Sequence, residues 1–155
     1  MYTKILVPMD GSETAERVLP TVEWFIRVSN VKEIVIARVV EPLHVRDNLE
    51  LQFDPDERKH IENDSKKLAK TYCDEIVKRL KTKKATITAK ILEGKPAEAI
   101  TKYVAEDKEV DLIIMATHSR TGVGKLLRGS TADEVMHDAE VPVLLVTPHD
   151  RKPEK

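Results

Sequence analysis

Apolar residues cluster in five short runs along the chain, and amphipathic segments separate these runs. Two runs, 33–40 and 110–116, are apolar on successive positions, which is typical of central strands covered on both faces of a sheet. The run 85–94 alternates apolar and polar residues and therefore predicts an edge strand. Together the runs predict strands at 4–9, 33–40, 85–94, 110–116 and 141–147.

The segments between these strands carry apolar residues at helical spacing. They predict helices at about 12–28, 56–83, 96–107 and 126–139. In the first helix Pro20 predicts a kink because it lacks an N–H group, and "DGSE" predicts an N-cap at Asp10 with Glu13 as its capping-box partner. In the second helix the predicted core stripe consists of Ile61, Leu68, Tyr72, Ile76 and Leu80.

The alternation of strands and helices predicts a single doubly wound α/β domain over residues 1–148, with a five-stranded parallel sheet in the order 3-2-1-4-5 and helices on both faces. Residues 149–155 are expected to form a disordered tail. Such sheets bind ligands beyond the carboxyl ends of the strands where the strand order reverses, here between the first and fourth strands. The loops that meet there contain "PMDGS" (8–12) and "ATHSRTGVGKLLRGS" (116–130). The polar stretch 42–55 is too long for a tight turn, and its role is open.

The amino-acid composition argues against nucleic acid and membranes as partners. The 155 residues include 26 basic and 27 acidic side chains, so the formal charge of -1 gives no global attraction to nucleic acid or to an anionic membrane. The single cysteine, Cys73, excludes an internal disulfide, and no apolar run approaches the roughly 20 residues of a membrane span. We therefore expect a soluble cytoplasmic protein that has neither nucleic acid nor membrane as a partner.

The glycines of the stretch 116–130 fit neither of two common phosphate-binding patterns. In the register of a P-loop, Ser119 replaces the first glycine and Leu126 replaces the metal-binding hydroxyl residue. In the register of a dinucleotide fingerprint, Leu127 replaces the third glycine. What remains is a strand-to-helix loop whose backbone N–H groups are able to hold an anion.

The segments "KILVPMDGSETAERVL" and "MATHSRTGVGKLLRGSTADEVMHDAEVPVLLV" resemble the universal stress protein (UspA) family in order and spacing over nearly the whole chain. The resemblance implies an adenine-nucleotide alpha-hydrolase-like fold. The ATP-binding branch of that family carries G-x2-G-x9-G-[S/T] after the fourth strand, and the corresponding residues here are Ala116, Ser119, Gly129 and Ser130. Gly129 and Ser130 match the last two positions of this motif, whereas Ala116 and Ser119 replace its first two glycines. The resemblance implies ATP as the ligand, with Mg²⁺ or Mn²⁺ held mainly by its phosphates.

The resemblance also implies roles for individual residues. Around the adenosine it implies walls formed by Pro8, Met9 and Asp10, with the Val39 backbone at the adenine edge. Beside the ribose and phosphates it implies Ala116, Thr117, His118, Ser119, Arg120, Thr121 and Gly122. At the start of the last helix it implies a phosphate cap made by Gly129, Ser130 and Thr131. A helix cap alone also explains Asp10, and a surface position also explains His118.

Three functions stay open on the sequence. The first is a regulatory protein that binds ATP, forms a homodimer through the strand 141–146 and signals to an unknown protein partner through its bound conformation. The second is a dimeric interaction protein of the same family without a nucleotide, which Ala116 and Ser119 favour. The third is an enzyme, either a slow ATPase or a phospho-receiver of similar topology, although no catalytic or metal-ligating constellation accompanies the histidines, Cys73 or the serines. We expect the first function, and no enzymatic activity.

Overall fold

Strands and helices alternate through residues 2–43, 54–117 and 131–147, which are the residues that a computed structural model describes. The strands are β1 (Lys4–Pro8), β2 (Glu33–Val40), β3 (Thr86–Glu93), β4 (Leu112–Ala116) and β5 (Val143–Val146). The helices are α1 (Glu13–Glu16), α2 (Leu19–Val28), α3 (Pro55–Leu80), α4 (Pro96–Glu106) and α5 (Thr131–Asp138). The predicted α/β class is confirmed, and β2 has the predicted bounds.

The five strands form one parallel sheet in the order β3-β2-β1-β4-β5. The predicted topology is confirmed, with β3 and β5 at the two edges. The central strand is β1, in which Leu6 pairs with Val35 of β2 on one side and with Ile113 of β4 on the other. Because the order of the strands reverses between β1 and β4, the loops that follow these strands border the crevice where such sheets bind ligands.

Successive residues of the central strands enter two separate cores because their side chains alternate between the faces of the sheet. From β1, Ile5 and Val7 pack with residues of α2 and α3, and Leu6 packs with residues of α4 and α5 on the other face. All three side chains are fully buried. Helices on both faces therefore explain why successive residues in the middle of these strands are apolar.

A charged cluster around Lys4 fixes the amino end of the sheet. The Lys4 Nζ lies 2.9 Å from Asp107 and 3.1 Å from Glu33. Asp107 also accepts a hydrogen bond of 3.1 Å from the Tyr103 hydroxyl. Burial raises the pKa of Asp107, but the hydrogen bonds from Lys4, Tyr103 and the Glu109 backbone outweigh burial and hold that pKa below its ordinary value. The ionised cluster ties β1 to β2 and to the segment that follows α4.

The prediction of one helix over 12–28 with Asp10 as its N-cap is wrong on both points. The chain forms α1 and α2 as separate helices, with the break at residues 17–18. Pro20 lies in the first turn of α2, where its missing N–H group costs no helical hydrogen bond. The N-cap of α1 is Ser12 and not Asp10, because the Ser12 Oγ accepts from the Ala15 N–H at 3.1 Å. Glu13 is then the first helical residue and not a capping-box partner.

The predicted core stripe of the long helix is wrong at Leu68 and at Ile61, whose exposed fractions are 70% and 37%. The buried face of α3 consists of Ala69, Cys73, Ile76 and Leu80. Because neighbouring residues are separated by about 100° around a helix, Leu68 points away from the face that Ala69 occupies. Ala69 is therefore buried in the core, although hydrophobicity alone predicts that Leu68 is the buried residue.

The remaining bounds differ from the predicted ones by a few residues. Helix α3 ends at Leu80, and strands β4 and β5 begin at Leu112 and Val143. Residues 44–53 of the polar stretch, residues 118–130 and the tail lie outside the described residues. Within the described ranges, no helix has the length and apolar character needed to cross a membrane.

Candidate functional site

A cavity of about 380 Å³ lies at the carboxyl end of the sheet, beside the point where β1 and β4 diverge. Its walls come from β1 and the loop after it, from β2 and β4, and from the first turns of α4 and α5. The volume is within the range of small-molecule sites. Most of the lining side chains are apolar, and Asp10 is the one charged residue among the described residues that line it. The cavity therefore offers an apolar binding surface with a single carboxylate.

Three hydrogen bonds hold the loop that follows β1. The Met9 N–H donates to the Ala37 carbonyl at 2.7 Å, which ties the loop to β2. The Asp10 Oδ1 accepts from the Ser12 N–H at 2.8 Å, and the Ser12 Oγ accepts from the Ala15 N–H. Asp10 is exposed to solvent and also lines the cavity, so its carboxylate is accessible to a ligand.

Gly11 makes the sharp turn in this loop, with a φ of 85° that L side chains rarely adopt. A Cβ atom at this position would lie 3.1 Å from the Arg38 guanidinium. Arg38 stacks on the Tyr72 ring, with its Cζ 5.3 Å from the ring centroid. Burial, together with the carboxylates of Glu16 and Asp10, raises the pKa of Tyr72, so the phenol stays neutral. The stacked pair supports the loop from the side of α3.

Ala116 ends β4 and lines the cavity in an extended conformation, paired with Val146 of β5. An extended strand residue does not need the positive φ that favours glycine. Alanine at this position therefore adds one methyl group to the cavity wall without backbone strain.

The first residues of α5 form part of the cavity wall. Thr131 and Ala132 open α5 and line the cavity. The first N–H groups of a helix have no intrahelical partner and carry partial positive charge. This wall is therefore suited to an anionic group.

The structure brings six of the predicted site residues together at this cavity: Pro8, Met9, Asp10, Val39, Ala116 and Thr131. Thr117 is described but is not a lining residue, and its N–H donates to the Val146 carbonyl at 3.1 Å. The other predicted residues lie outside the described residues: His118, Ser119, Arg120, Thr121, Gly122, Gly129 and Ser130.

Sequence reasoning missed five of the lining residues, which are Ala15, Pro96, Ile100, Met115 and Ala132. Their periodicity indicates core positions, and Ile100 and Met115 do belong to the core between the sheet, α4 and α5. Their positions at the ends of predicted strands or at the starts of helices were the signal that could have identified them as lining residues. Pro96 opens the helix that follows β3, and Met115 is the penultimate residue of β4, so both lie at the edge where such sheets bind ligands.

Among the described lining residues, Asp10 is the one titratable side chain and Thr131 carries the one hydroxyl group. Across the described ranges, no group of three or more histidine, cysteine, aspartate or glutamate side chains is placed to hold a metal ion. The arrangement supports ligand binding by an apolar wall, a carboxylate and a helix N-terminus.

The fold defines a doubly wound α/β protein with a ligand crevice at the reversal of strand order, and comparison with known proteins gives its family. The profile of the universal stress protein family matches residues 1–147. Universal stress protein MJ0577 of Methanocaldococcus jannaschii is 32% identical over 156 residues, which cover 94% of this chain and 95% of the relative. A universal stress protein of Thermus aquaticus is 32% identical over 147 residues, which cover 94% and 99%. The chain belongs to the universal stress protein family.

Solved structures agree with this fold. The structure of MJ0577 matches with a TM-score of 0.77 at 31% identity, covering 97% of this chain and 99% of that chain. A universal stress protein in complex with cAMP matches with a TM-score of 0.61 at 20% identity, covering 96% and 98%. A universal stress protein family member from Arabidopsis thaliana with AMP bound matches with a TM-score of 0.63 at 16% identity, covering 99% and 96%. At these identities the two complexes establish the shared fold alone.

Proposed function

We propose that this universal stress protein is a cytoplasmic regulatory protein that binds ATP in the cavity at the carboxyl end of the sheet. The observation that carries the proposal is the meeting of six residues from separate elements at one cavity. The family resemblance assigns these same six residues to an adenine nucleotide. Two proteins of this fold have been solved with cAMP or AMP.

The chemistry of the cavity suits adenosine. Met9, Val39, Ile100 and Met115 offer apolar surface for the faces of a purine ring. Asp10 supplies a charged acceptor for the N–H or O–H groups of the nucleoside. The N-terminal end of α5 favours the phosphates. The family resemblance implies that Mg²⁺ or Mn²⁺ is held mainly by the phosphates.

The replacement of the first family glycine by alanine is compatible with ATP binding. Ala116 is extended in β4, so the cost of about 1–2 kcal/mol for a positive φ does not apply. The remaining effect is one methyl group beside the ligand. We therefore expect the replacement to reduce affinity modestly and to leave the location of the site unchanged.

Calorimetric titration with Mg-ATP, after removal of any nucleotide that co-purifies, tests the proposal. Val39→Trp fills the cavity with an indole ring, and Val40→Trp is the matched control because adjacent strand residues point to opposite faces. Asp10→Asn keeps an acceptor for the Ser12 N–H but removes the charge, whereas Asp10→Ala removes both.

At an ionic strength of about 0.15 M, where salt screens exposed lysines, we expect the wild type and Val40→Trp to bind about one ATP per chain, and Val39→Trp to bind none. Loss of the Asp10 charge should weaken binding by about tenfold or more, as for other hydrogen bonds to charged groups. Unchanged affinity in Val39→Trp would overturn the assignment of the site. Absence of both ATP binding and co-purified nucleotide in the wild type would overturn the function.

A homodimer through β5 is the second part of the proposal. β5 is an edge strand whose four residues are all apolar and only partly buried. An apolar edge of this kind is suited to pairing with a second copy across a two-fold axis. Light scattering should show a dimer for the wild type and monomers or insoluble protein for Leu144→Lys. Thr88→Lys on the opposite edge strand is the control, and a dimer that survives in Leu144→Lys contradicts this part.

A dimeric interaction protein without a nucleotide is the second candidate function. The replacement of the first two family glycines by Ala116 and Ser119 favours it. It predicts the same dimer by light scattering but no heat on titration with Mg-ATP. The two measurements therefore separate the two candidates.

A further inference from the structure

A second, larger groove of about 650 Å³ lies at the amino-terminal end of the sheet, opposite the cavity described above. The last turn of α3, the turn after it, the segment before β2 and the start of β3 form its walls. Its lining includes Lys32, Lys78, Lys81, Lys83 and Lys84, and we call it the basic groove. No acidic residue lines it among the described residues.

The lysines of the basic groove differ from most other surface lysines in lacking carboxylate partners. Five lysines elsewhere lie 2.7–3.8 Å from a carboxylate oxygen, namely Lys66, Lys70, Lys95, Lys102 and Lys108. Within the described ranges none of the groove lysines forms such an ion pair, and the Lys84 Nζ donates instead to the Arg27 carbonyl at 3.1 Å. In a chain with 26 basic and 27 acidic residues, this is a local excess of positive charge.

Helix electrostatics explains only part of this excess. Basic side chains near the C-terminus of a helix interact favourably with its dipole, which accounts for Lys78 and Lys81 at the end of α3. Lys83 and Lys84 lie beyond the helix, and Lys32 comes from the segment before β2. Arg79, in the same helical turn as Lys78, is paired with Glu16 at 2.6 Å and does not line the groove.

The walls of the basic groove are fixed by backbone contacts. The Thr86 N–H donates to the Lys32 carbonyl at 2.8 Å, which joins the start of β3 to the segment before β2. The Lys84 N–H donates to the Thr82 Oγ1 at 3.2 Å. Ile87 packs against the core below the groove. These contacts hold the backbone that carries Lys32 and Lys84, whereas the ammonium groups themselves lie at the ends of flexible side chains.

We propose that the basic groove binds a short linear oligophosphate. Lysine ammonium groups bind phosphate oxygens as point charges. Among the described lining residues there is no aromatic ring on which a nucleobase stacks, so the groove recognises an anion by charge alone. One phosphate group carries at most about two negative charges, so balancing five lysines requires several phosphates.

Calorimetric titration with inorganic tripolyphosphate tests the proposal, at low ionic strength because salt screens exposed charges. The groove variant Lys78→Gln/Lys81→Gln/Lys83→Gln is compared with the control variant Lys70→Gln/Lys102→Gln/Lys108→Gln, whose lysines have carboxylate partners. Both variants lose the same positive charge. We expect the groove variant to lose about tenfold or more in affinity and the control to be unchanged. Lys32→Gln, which lies outside α3, should also weaken binding, so the loss cannot come from helix stability.

Three results would overturn the proposal. Equal losses in the groove and control variants would show that net charge alone attracts the anion. Loss of tripolyphosphate binding in Val39→Trp, with binding retained in the groove variant, would locate the anion in the cavity between β1 and β4. Tighter binding of single-stranded DNA than of tripolyphosphate, with the same dependence on the groove lysines, would favour a nucleic acid. Adenosine carries no phosphate, so its binding tests the nucleotide cavity separately and the two proposals can fail independently.

Discussion

Gly11→Ala adds one methyl group to the turn that carries Asp10. Gly11 has a φ of 85°, and an L residue in this conformation costs about 1–2 kcal/mol. The new Cβ atom would also lie 3.1–3.2 Å from three atoms of the Arg38 guanidinium, so the guanidinium has to move. Moving it weakens its stacking on Tyr72, an interaction of about 0.5–1 kcal/mol at a partly exposed site.

The two effects together predict that Gly11→Ala lowers the free energy of unfolding by about 1–3 kcal/mol. For a domain of this size each kcal/mol lowers the melting midpoint by about 2–4 °C, so the midpoint should fall by roughly 2–12 °C. Urea unfolding followed by circular dichroism gives the free energy, and a thermal scan gives the midpoint.

A double-mutant cycle with Arg38→Ala separates the two effects. In the Arg38→Ala background the contact with the guanidinium is absent and only the backbone cost of about 1–2 kcal/mol remains. Gly11→Asn is a second control, because asparagine tolerates a positive φ better than alanine and should destabilise less. Unchanged stability in Gly11→Ala, or equal losses for alanine and asparagine, would refute this account of the turn.

The remaining predictions concern the frame of the sheet. The folded-state pKa of Asp107 is held below its unfolded value, so the stability from its pairing with Lys4 is complete above the unfolded pKa of about 3.9 and is lost as the pH falls through the folded value. Urea unfolding between about pH 6 and pH 3 should therefore show a smaller decline for Asp107→Asn than for the wild type, and equal declines would argue against the pairing. Leu68→Gln should change the free energy of unfolding by less than about 0.5 kcal/mol because the side chain is 70% exposed, whereas Ile76→Ala should cost about 2–5 kcal/mol. Burial raises the pKa of Cys73 to about 11, so a thiol reagent should modify this residue only after urea unfolding, and rapid reaction of the folded protein would contradict its burial.

The fold could be predicted from the sequence because the pattern that specifies it is strong. Most residues of 33–40 and 110–116 are apolar at successive positions, a pattern typical of a sheet covered on both faces. Detailed helix ends were less predictable. Asp10 and Ser12 are both good caps by residue type, and Ser12 became the cap because Asp10 accepts from the Ser12 backbone instead.

Side-chain burial on the long helix could not be predicted from hydrophobicity alone. Leu68 and Ala69 are neighbours separated by about 100° around the helix, and Ala69 is the one that is buried. The observed choice of Ala69 depends on the other members of the buried face, Cys73, Ile76 and Leu80, which share its helical spacing. The predicted stripe with Leu68 omitted Cys73, whose burial is complete.

The location of the candidate site could be predicted from the sequence, but only part of its lining could. Both predicted loops follow strands that meet at the reversal of strand order, so topology alone brings them together. Ile100 and Met115 were missed because a residue that packs in the core and also lines a cavity has the same apolar pattern as any core residue. The supporting stack of Arg38 on Tyr72 joins distant segments and leaves no local signal in the sequence.

An NMR titration of methyl-labelled protein with one equivalent of Mg-ATP tests most directly where the nucleotide binds. Met9, Ile100 and Met115 carry methyl groups at the cavity, whereas Val77 and Ile87 carry methyl groups at the basic groove. At an ionic strength of about 0.15 M, where salt screens the exposed groove lysines, the proposed function predicts that ATP shifts the signals of the first three residues and leaves those of the other two in place. Shifts confined to Val77 and Ile87, or no shifts at any of the five residues, would contradict it.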